Sequence, residues 1–323
     1  MKRFLIKYSL FLVLIASLSW LLSSLVDRGL RLLSGHASGQ TSIPELLSDT
    51  LQADILIMGN SRALCSYNPM CIEAITGLRT WNIGVSGQPF GISYLRYQLY
   101  TEHNRKPQIL LLNIDNNELE MIDNGFGRED YYPYFDNELI QPYLPLYGFS
   151  WADIHLPLYK YRGDYKLIGY GLLDNLGIYP LAQCQHVQGF YNEDTAFDGT
   201  ALEEVLQSGN IKVSQETAAI QLLDSFLTDL TQDSIRVLFC YAPQYTPLFE
   251  HLEIDSLMNS YQRIADRHGI VIMNYARLPW CNDTCFFYNA NHINRKGAEL
   301  FSTQLAEDLR DLISAEEMSK LKP

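Results

Sequence analysis

The 323-residue chain contains no CxxC pair, no GxGxxG or Walker-type phosphate loop, no internal repeat and no low-complexity tract. Without those glycine loops there is no signature for a bound nucleotide, and without CxxC pairs zinc lacks its usual ligand spacing. No cofactor and no metal are therefore expected. Positive charge is also scarce: 24 basic against 37 acidic side chains give a formal net charge of −13. Nucleic acid binding rests on clustered Lys and Arg that displace counterions from phosphates, so nucleic acid is excluded as the main ligand. A hydrophobic share of 47% with 12% aromatics excludes a disordered chain. The length suits one or two globular domains, and one domain of this size buries a full core without disulfide or metal staples.

One segment departs from the average. Tyr8 to Val26 is a run of nineteen residues without a charge. At about 1.5 Å per residue it reaches across a bilayer's hydrocarbon layer. Lys2, Arg3 and Lys7 precede it, so the positive-inside rule predicts a cytoplasmic N-terminus, a single pass through the cytoplasmic (inner) membrane, and an extracytoplasmic, periplasmic remainder. A cleaved signal peptide is the competing reading, but the run is long for one and no clear small-x-small site follows. No lipobox cysteine follows either. The expected organisation is an anchor and stalk over 1–33, beginning its amphipathic part at Asp27, Arg28 and Arg31. A linker over 34–50, a domain over 51–315 and a tail over 316–323 complete it. Export makes disulfides plausible for the six cysteines. The simplest pairing is Cys65–Cys71, Cys281–Cys285 and Cys184–Cys240, with free buried thiols as the alternative.

Short apolar runs at Ala53 to Met58, Gln108 to Ile114, Arg236 to Tyr241 and Ile270 to Asn274 read as buried parallel strands. Helical spacing links them: Ile92 to Tyr100; Ile220, Leu223, Leu227 and Leu230; Ile254, Leu257, Tyr261 and Ile264, closed by Gly269; and a last helix from about Arg295. Strands alternating with helices predict a three-layer α/β/α fold of flavodoxin-like type around a parallel sheet. The stretch from about 121 to 215 breaks the rhythm and holds eleven of the 21 tyrosines. It reads as an irregular, ordered insertion, either a lid on the sheet or a platform on which sugar rings stack.

Open parallel sheets carry their sites at the carboxyl ends of strands. Three polar blocks fall at such places, Gly59-Asn60-Ser61-Arg62, Asn82 to Gln88, and Asp115-Asn116-Asn117-Glu118; a fourth, Asn289-Ala290-Asn291-His292-Ile293-Asn294-Arg295-Lys296-Gly297, sits in the loop before the last helix. This ordered set resembles the SGNH/GDSL hydrolase superfamily over roughly residues 50 to 315. The resemblance implies Ser61 as nucleophile, Gly87 as an oxyanion-hole N–H, Asn117 as an oxyanion-hole amide (Asn116 in reserve), and His292 as general base. It implies an ester hydrolase or O-acyl (acetyl) transferase, and the anchored members suggest an envelope glycan ester as substrate. A catalytically inactive glycan-binding or assembly protein and a lipid esterase at the membrane surface are the alternatives. Protein partners are not indicated.

The block departs from the family at one place: the aspartate three residues before the histidine is Asn289. Either Asn289 orients a Ser–His dyad through its carbonyl oxygen, or another carboxylate such as Asp283 substitutes, or turnover is lost. Arg62 reads as an orienting or surface residue, and Glu118 as a loop-fixing one. His103, His251 and His268 carry no assigned role.

Overall fold

The computed structural model describes residues 1–32, 40–116, 119–121, 127–178, 186–191, 193–208, 211–212 and 215–313. The chain divides into two compact units, residues 1–37 with 124–183 and residues 38–123 with 184–323.

The second unit is built on five strands, β1 (Ile55–Met58), β2 (Thr80–Asn82), β3 (Ile109–Asn113), β4 (Arg236–Tyr241) and β5 (Val271–Asn274). They lie in the order β2-β1-β3-β4-β5, and every neighbouring pair is parallel. β1 and β3 are buried at every position. That is why their sequences are unbroken apolar runs and not alternating ones: both faces are covered. On one face Ile57, Leu111 and Leu238 stand side by side in register. They share a core with Phe301, Leu305 and Leu309 of the last helix and with Tyr67. On the other face Phe239 meets Tyr261 edge-on, with ring centroids 5.9 Å apart. The expected α/β architecture is present, helices covering both sides of a parallel sheet.

The strand order 2-1-3-4-5 means that the chain leaves β1 in one direction to form β2 and returns past it to form β3. The crevice between the carboxyl ends of β1 and β3 is the topological switch point, where such folds hold ligands. β2 has no counterpart in the sequence reading, because Thr80-Trp81-Asn82 is too short to show a period. The helix closed by Gly269 runs Asp255–His268, and Gly269 takes the left-handed φ of 65° that the cap requires. Part of the stretch read as a linker is folded: Ile43–Leu46 is a short helix closed by a Ser42–Glu45 capping box.

The cysteine pairing is corrected. Cys65, Cys71, Cys240, Cys281 and Cys285 are free thiols, and Cys184 lies outside the described residues. Within each local pair the two environments differ. Cys65 is buried with its Sγ 3.4 Å from the Tyr288 hydroxyl, while Cys71 is half-buried on a separate helix. Cys281 sits in the core and Cys285 is exposed.

The first unit joins helix α1 (Lys2–Leu32) to residues of the tyrosine-rich insertion. α1 is long and apolar enough to cross a membrane by length and composition. Among the described residues of this unit, the insertion is made of 3₁₀ turns and two short helices, α2 (Trp151–His155) and α3 (Tyr165–Asp174). Residues 124–183 belong with α1, whereas Phe190 is part of the core of the other unit. The sugar-platform reading also fails for its inner tyrosines. Tyr131, Tyr132, Tyr134, Tyr147 and Tyr161 are buried. They pack on one another, as in the Tyr132–Tyr161 edge contact at 5.5 Å. A ring already covered on its faces has none left for a sugar.

Phe301 is fully buried and edges onto Tyr67 and Tyr275 with centroids 5.1 and 5.2 Å away. Phe301→Ala should destabilise this unit by about 3–5 kcal/mol. Urea unfolding followed by near-ultraviolet dichroism should show a lower midpoint at an unchanged slope.

Candidate active site

β1 ends at Met58, and Gly59 turns the chain with φ 147°. A Cβ there would lie 2.9 Å from the Cβ of Asn113 at the end of β3, so glycine lets the two strand ends approach. Asn60 caps the short helix Ser61–Ser66, its side chain accepting the Arg62 N–H at 2.9 Å. Asn82, at the end of β2, braces the same helix by donating from Nδ2 to the carbonyl of Ala63 at 2.8 Å. Ser61 is thus held at the carboxyl edge of the sheet by its two neighbours in the strand order.

His292 comes from the far end of the sequence. Strands β6 (Phe287–Asn289) and β7 (His292–Ile293) make a tight antiparallel hairpin in which Asn289 pairs with His292. The Asn289 side chain closes the turn, Oδ1 accepting the backbone N–H of Asn291 at 2.9 Å and of His292 at 3.0 Å. The same Oδ1 lies 3.0 Å from His292 Nδ1, and His292 Nε2 lies 2.8 Å from Ser61 Oγ. Two backbone donors identify the amide atom at this point as oxygen, since an NH₂ there would meet them donor to donor. The imidazole is therefore protonated on Nδ1, and Nε2 is the acceptor that faces the serine hydroxyl. Ser61, His292 and Asn289, selected from the sequence, form one continuous hydrogen-bonded chain.

Tyr288 lies flat against the imidazole, with centroids 5.3 Å apart and an interplanar angle of 6°. Burial of the ring, aided by the nearby Arg62 charge and opposed by Asp115, pulls the His292 pKa down to about 4. The imidazole is therefore neutral across the physiological range.

Of the two readings of Arg62, orienting or surface, the surface one is corrected. Arg62 is 3% exposed. It donates from Nη1 to Asp115 Oδ1 at 2.8 Å and from Nη2 to the carbonyl of Ala242 at 2.6 Å. Its guanidinium also lies over the Tyr241 ring, 4.7 Å from the centroid. Burial works against the guanidinium charge, but Asp115 and Tyr241 outweigh it and its pKa is raised. One ion pair thus ties the turn after β1 to the ends of β3 and β4. Position after the nucleophile block was the only signal in the sequence, and it does not reveal burial.

Of the remaining expected residues, Gly87 lies in the loop after β2 with φ 65°. That loop is held to the turn after β1 by the Val85 N–H on the Gly59 carbonyl at 3.0 Å. Asn117 and Glu118 lie outside the described residues. The reserve residue, Asn116, accepts the Tyr241 hydroxyl at 2.8 Å. Asp283 caps the turn Thr284–Phe286 by accepting the Cys285 N–H at 2.9 Å, while the imidazole Nδ1 faces Asn289.

No family model and no curated protein sequence matches the chain. Among solved structures it is similar to a family two carbohydrate esterase from Clostridium thermocellum in complex with cellohexaose, with TM-score 0.38, 9% identity and coverage of 81% of this chain and 65% of that one. It is also similar to an active-site mutant of a family two carbohydrate esterase from the same organism, with TM-score 0.34, 10% identity and coverage of 81% and 64%. The chain thus spans a little under two thirds of the length of these structures.

Removing one partner of a buried ion pair strands the other's charge. Asp115→Ala should therefore cost about 3–5 kcal/mol. The double variant Arg62→Met with Asp115→Leu should recover much of that loss in the same denaturation assay. Full additivity of the two single effects would show the pair to be uncoupled.

Proposed function

We propose that the chain is a serine esterase or O-acyltransferase acting by a Ser61–His292 dyad oriented by Asn289. The observation that carries this reading is the double use of Asn289 Oδ1, held by two backbone N–H groups while it receives His292 Nδ1. In a serine-protease triad, replacing aspartate by asparagine costs about 10⁴-fold because the amide presents the wrong tautomer partner. Here the hairpin fixes the amide oxygen toward the ring, so the productive tautomer is kept without a carboxylate.

Ser61 Oγ attacks the ester carbonyl as its proton passes to His292 Nε2. The oxyanion is received by the Ser61 N–H, the Gly87 N–H and the Asn117 side-chain amide. Collapse of the tetrahedral intermediate breaks the ester C–O bond, and His292 returns the proton to the departing alcohol. Water or an acceptor hydroxyl then cleaves the acyl-Ser61 ester by the same steps in reverse, giving hydrolysis or transfer. The uncharged orienter fits a base whose pKa is already low, because imidazolium is formed only transiently. We further propose that residues 8–26 anchor the chain in the cytoplasmic membrane, with the remainder extracytoplasmic. The substrate is then an envelope glycan ester. The net charge of −13 favours a neutral or weakly charged glycan over a strongly anionic one.

With p-nitrophenyl acetate as substrate, Ser61→Ala should lower kcat/KM by about 10⁴-fold or more. Equal, background-level rates for wild type and variant on this ester and on acetylated glycans would remove the enzymatic reading. The acid limb of kcat/KM should fall near pH 4, since activity requires neutral His292 and is lost only below its depressed pKa. Asn289→Asp should move that limb upward by about one unit or more, as a carboxylate favours imidazolium. Asp283→Asn should leave the profile in place. Loss of activity there would transfer the orienting role to Asp283.

A further inference from the structure

The insertion packs against the second half of α1. Its order along α1 can be read from contacts within the unit. The Leu158 N–H donates to Ser23 Oγ at 3.3 Å, and Lys160 Nζ reaches Asp27 at 3.0 Å. Arg31 Nε donates to the Pro133 carbonyl at 2.8 Å. Helix α3 runs antiparallel to α1: Gly171 packs on Val26 and Gly29, and Asn175 Nδ2 donates to the Leu25 carbonyl at 2.6 Å. Contacts therefore start at about Ser23 and climb toward Arg31. The edge nearest the apolar half of α1 consists of α2, the turn after it and the end of α3.

That edge is apolar and open. Trp151 is 68% exposed, Leu156 44% and Leu176 73%. The Trp151 ring lies 4.9 Å from that of His155. His155, Leu156 and Pro157 line one cavity together with Trp20 and Ser23 of α1. On α1 itself Trp20, Leu21 and Leu25 are exposed. The cavity's apolar members, Trp20, Leu156 and Pro157, belong to this end of the contact, and Asp27, Arg28 and Arg31 line it farther along α1. The uncharged run Tyr8–Val26 ends at this level.

We infer that the insertion is a membrane-surface collar. Its lower edge, Trp151, Leu156 and Leu176, is seated in the headgroup–acyl boundary around the point where α1 leaves the bilayer. Aromatic and apolar side chains at this depth gain by leaving water while their polar atoms stay hydrated. The occupant of this face is lipid, because the face adjoins a helix surface that only lipid can cover over its whole circumference. The inference rests on the proposed anchoring of residues 8–26.

The test uses the full chain reconstituted in phosphatidylcholine vesicles containing lipid brominated near the headgroup end of the acyl chains. Tryptophan emission is compared for wild type, Trp20→Phe and Trp151→Phe, both replacements at exposed positions. Trp20 reports the anchor and Trp151 the collar. Each replacement should remove about half of the quenched emission, because both rings sit at the interface. If Trp20→Phe removes all of it, the collar is wrong and the anchor stands. If the wild type shows no quenching at all, anchoring fails and the collar with it. Unquenched Trp151 accompanied by cross-linking between copies would assign the face to a second chain and overturn the proposal.

Discussion

A single amide oxygen sets the state of the site. Asn289 Oδ1 accepts two backbone N–H groups of its own hairpin and the Nδ1 of His292. A carboxylate in this place would hold the ring by charge; the amide holds it by geometry. The two backbone bonds make rotation of the amide costly, since they would be exchanged for donor–donor contacts inside a half-buried turn. The tautomer of His292, and with it the acceptor facing Ser61, follows from the backbone of a hairpin turn four residues long, Asn289 to His292. Tyr288 stacks against the ring, and burial together with the nearby Arg62 charge lowers the imidazole's basicity.

The serine side of the site depends on a different constraint, the convergence of strand ends at the switch point. Gly59 brings β1 against Asn113 of β3, Asn82 ties β2 to the helix that starts at Ser61, and Arg62 joins that helix to Asp115 and to the carbonyl of Ala242. Each of these contacts links a residue close in sequence to Ser61 with one brought in by the parallel sheet. The Arg62–Asp115 pair is paid for by desolvation, and its value is positional: a guanidinium locked by a carboxylate, a carbonyl and the Tyr241 ring leaves the turn one arrangement.

Much of this was legible in the sequence, and the omissions have physical causes. The runs ILIM, ILLLN and RVLFCY announce strands because burial on both faces removes polar positions. Asn289, Ser61 and His292 were legible because each sits in a short polar block at a strand or hairpin end. β2 was missed because three residues carry no period. Arg62 was read as a surface or orienting residue because its partners, Asp115 and Ala242, lie 53 and 180 positions away. The insertion's true partner, α1, was missed for the same reason: its buried tyrosines and Lys160 meet residues more than a hundred positions distant. The cysteine spacings suggested local bridges, but spacing does not report which face of a helix or turn each thiol occupies.

The proposed activity requires Ser61 to be a nucleophile activated by His292. A fluorophosphonate probe incubated with the full chain, followed by peptide mass spectrometry, measures this directly. A covalent phosphonyl adduct should form on Ser61 in the wild type and be lost in a folded His292→Ala variant. Absence of any adduct on Ser61 in the folded wild-type protein, or equal labelling in the two proteins, would contradict it.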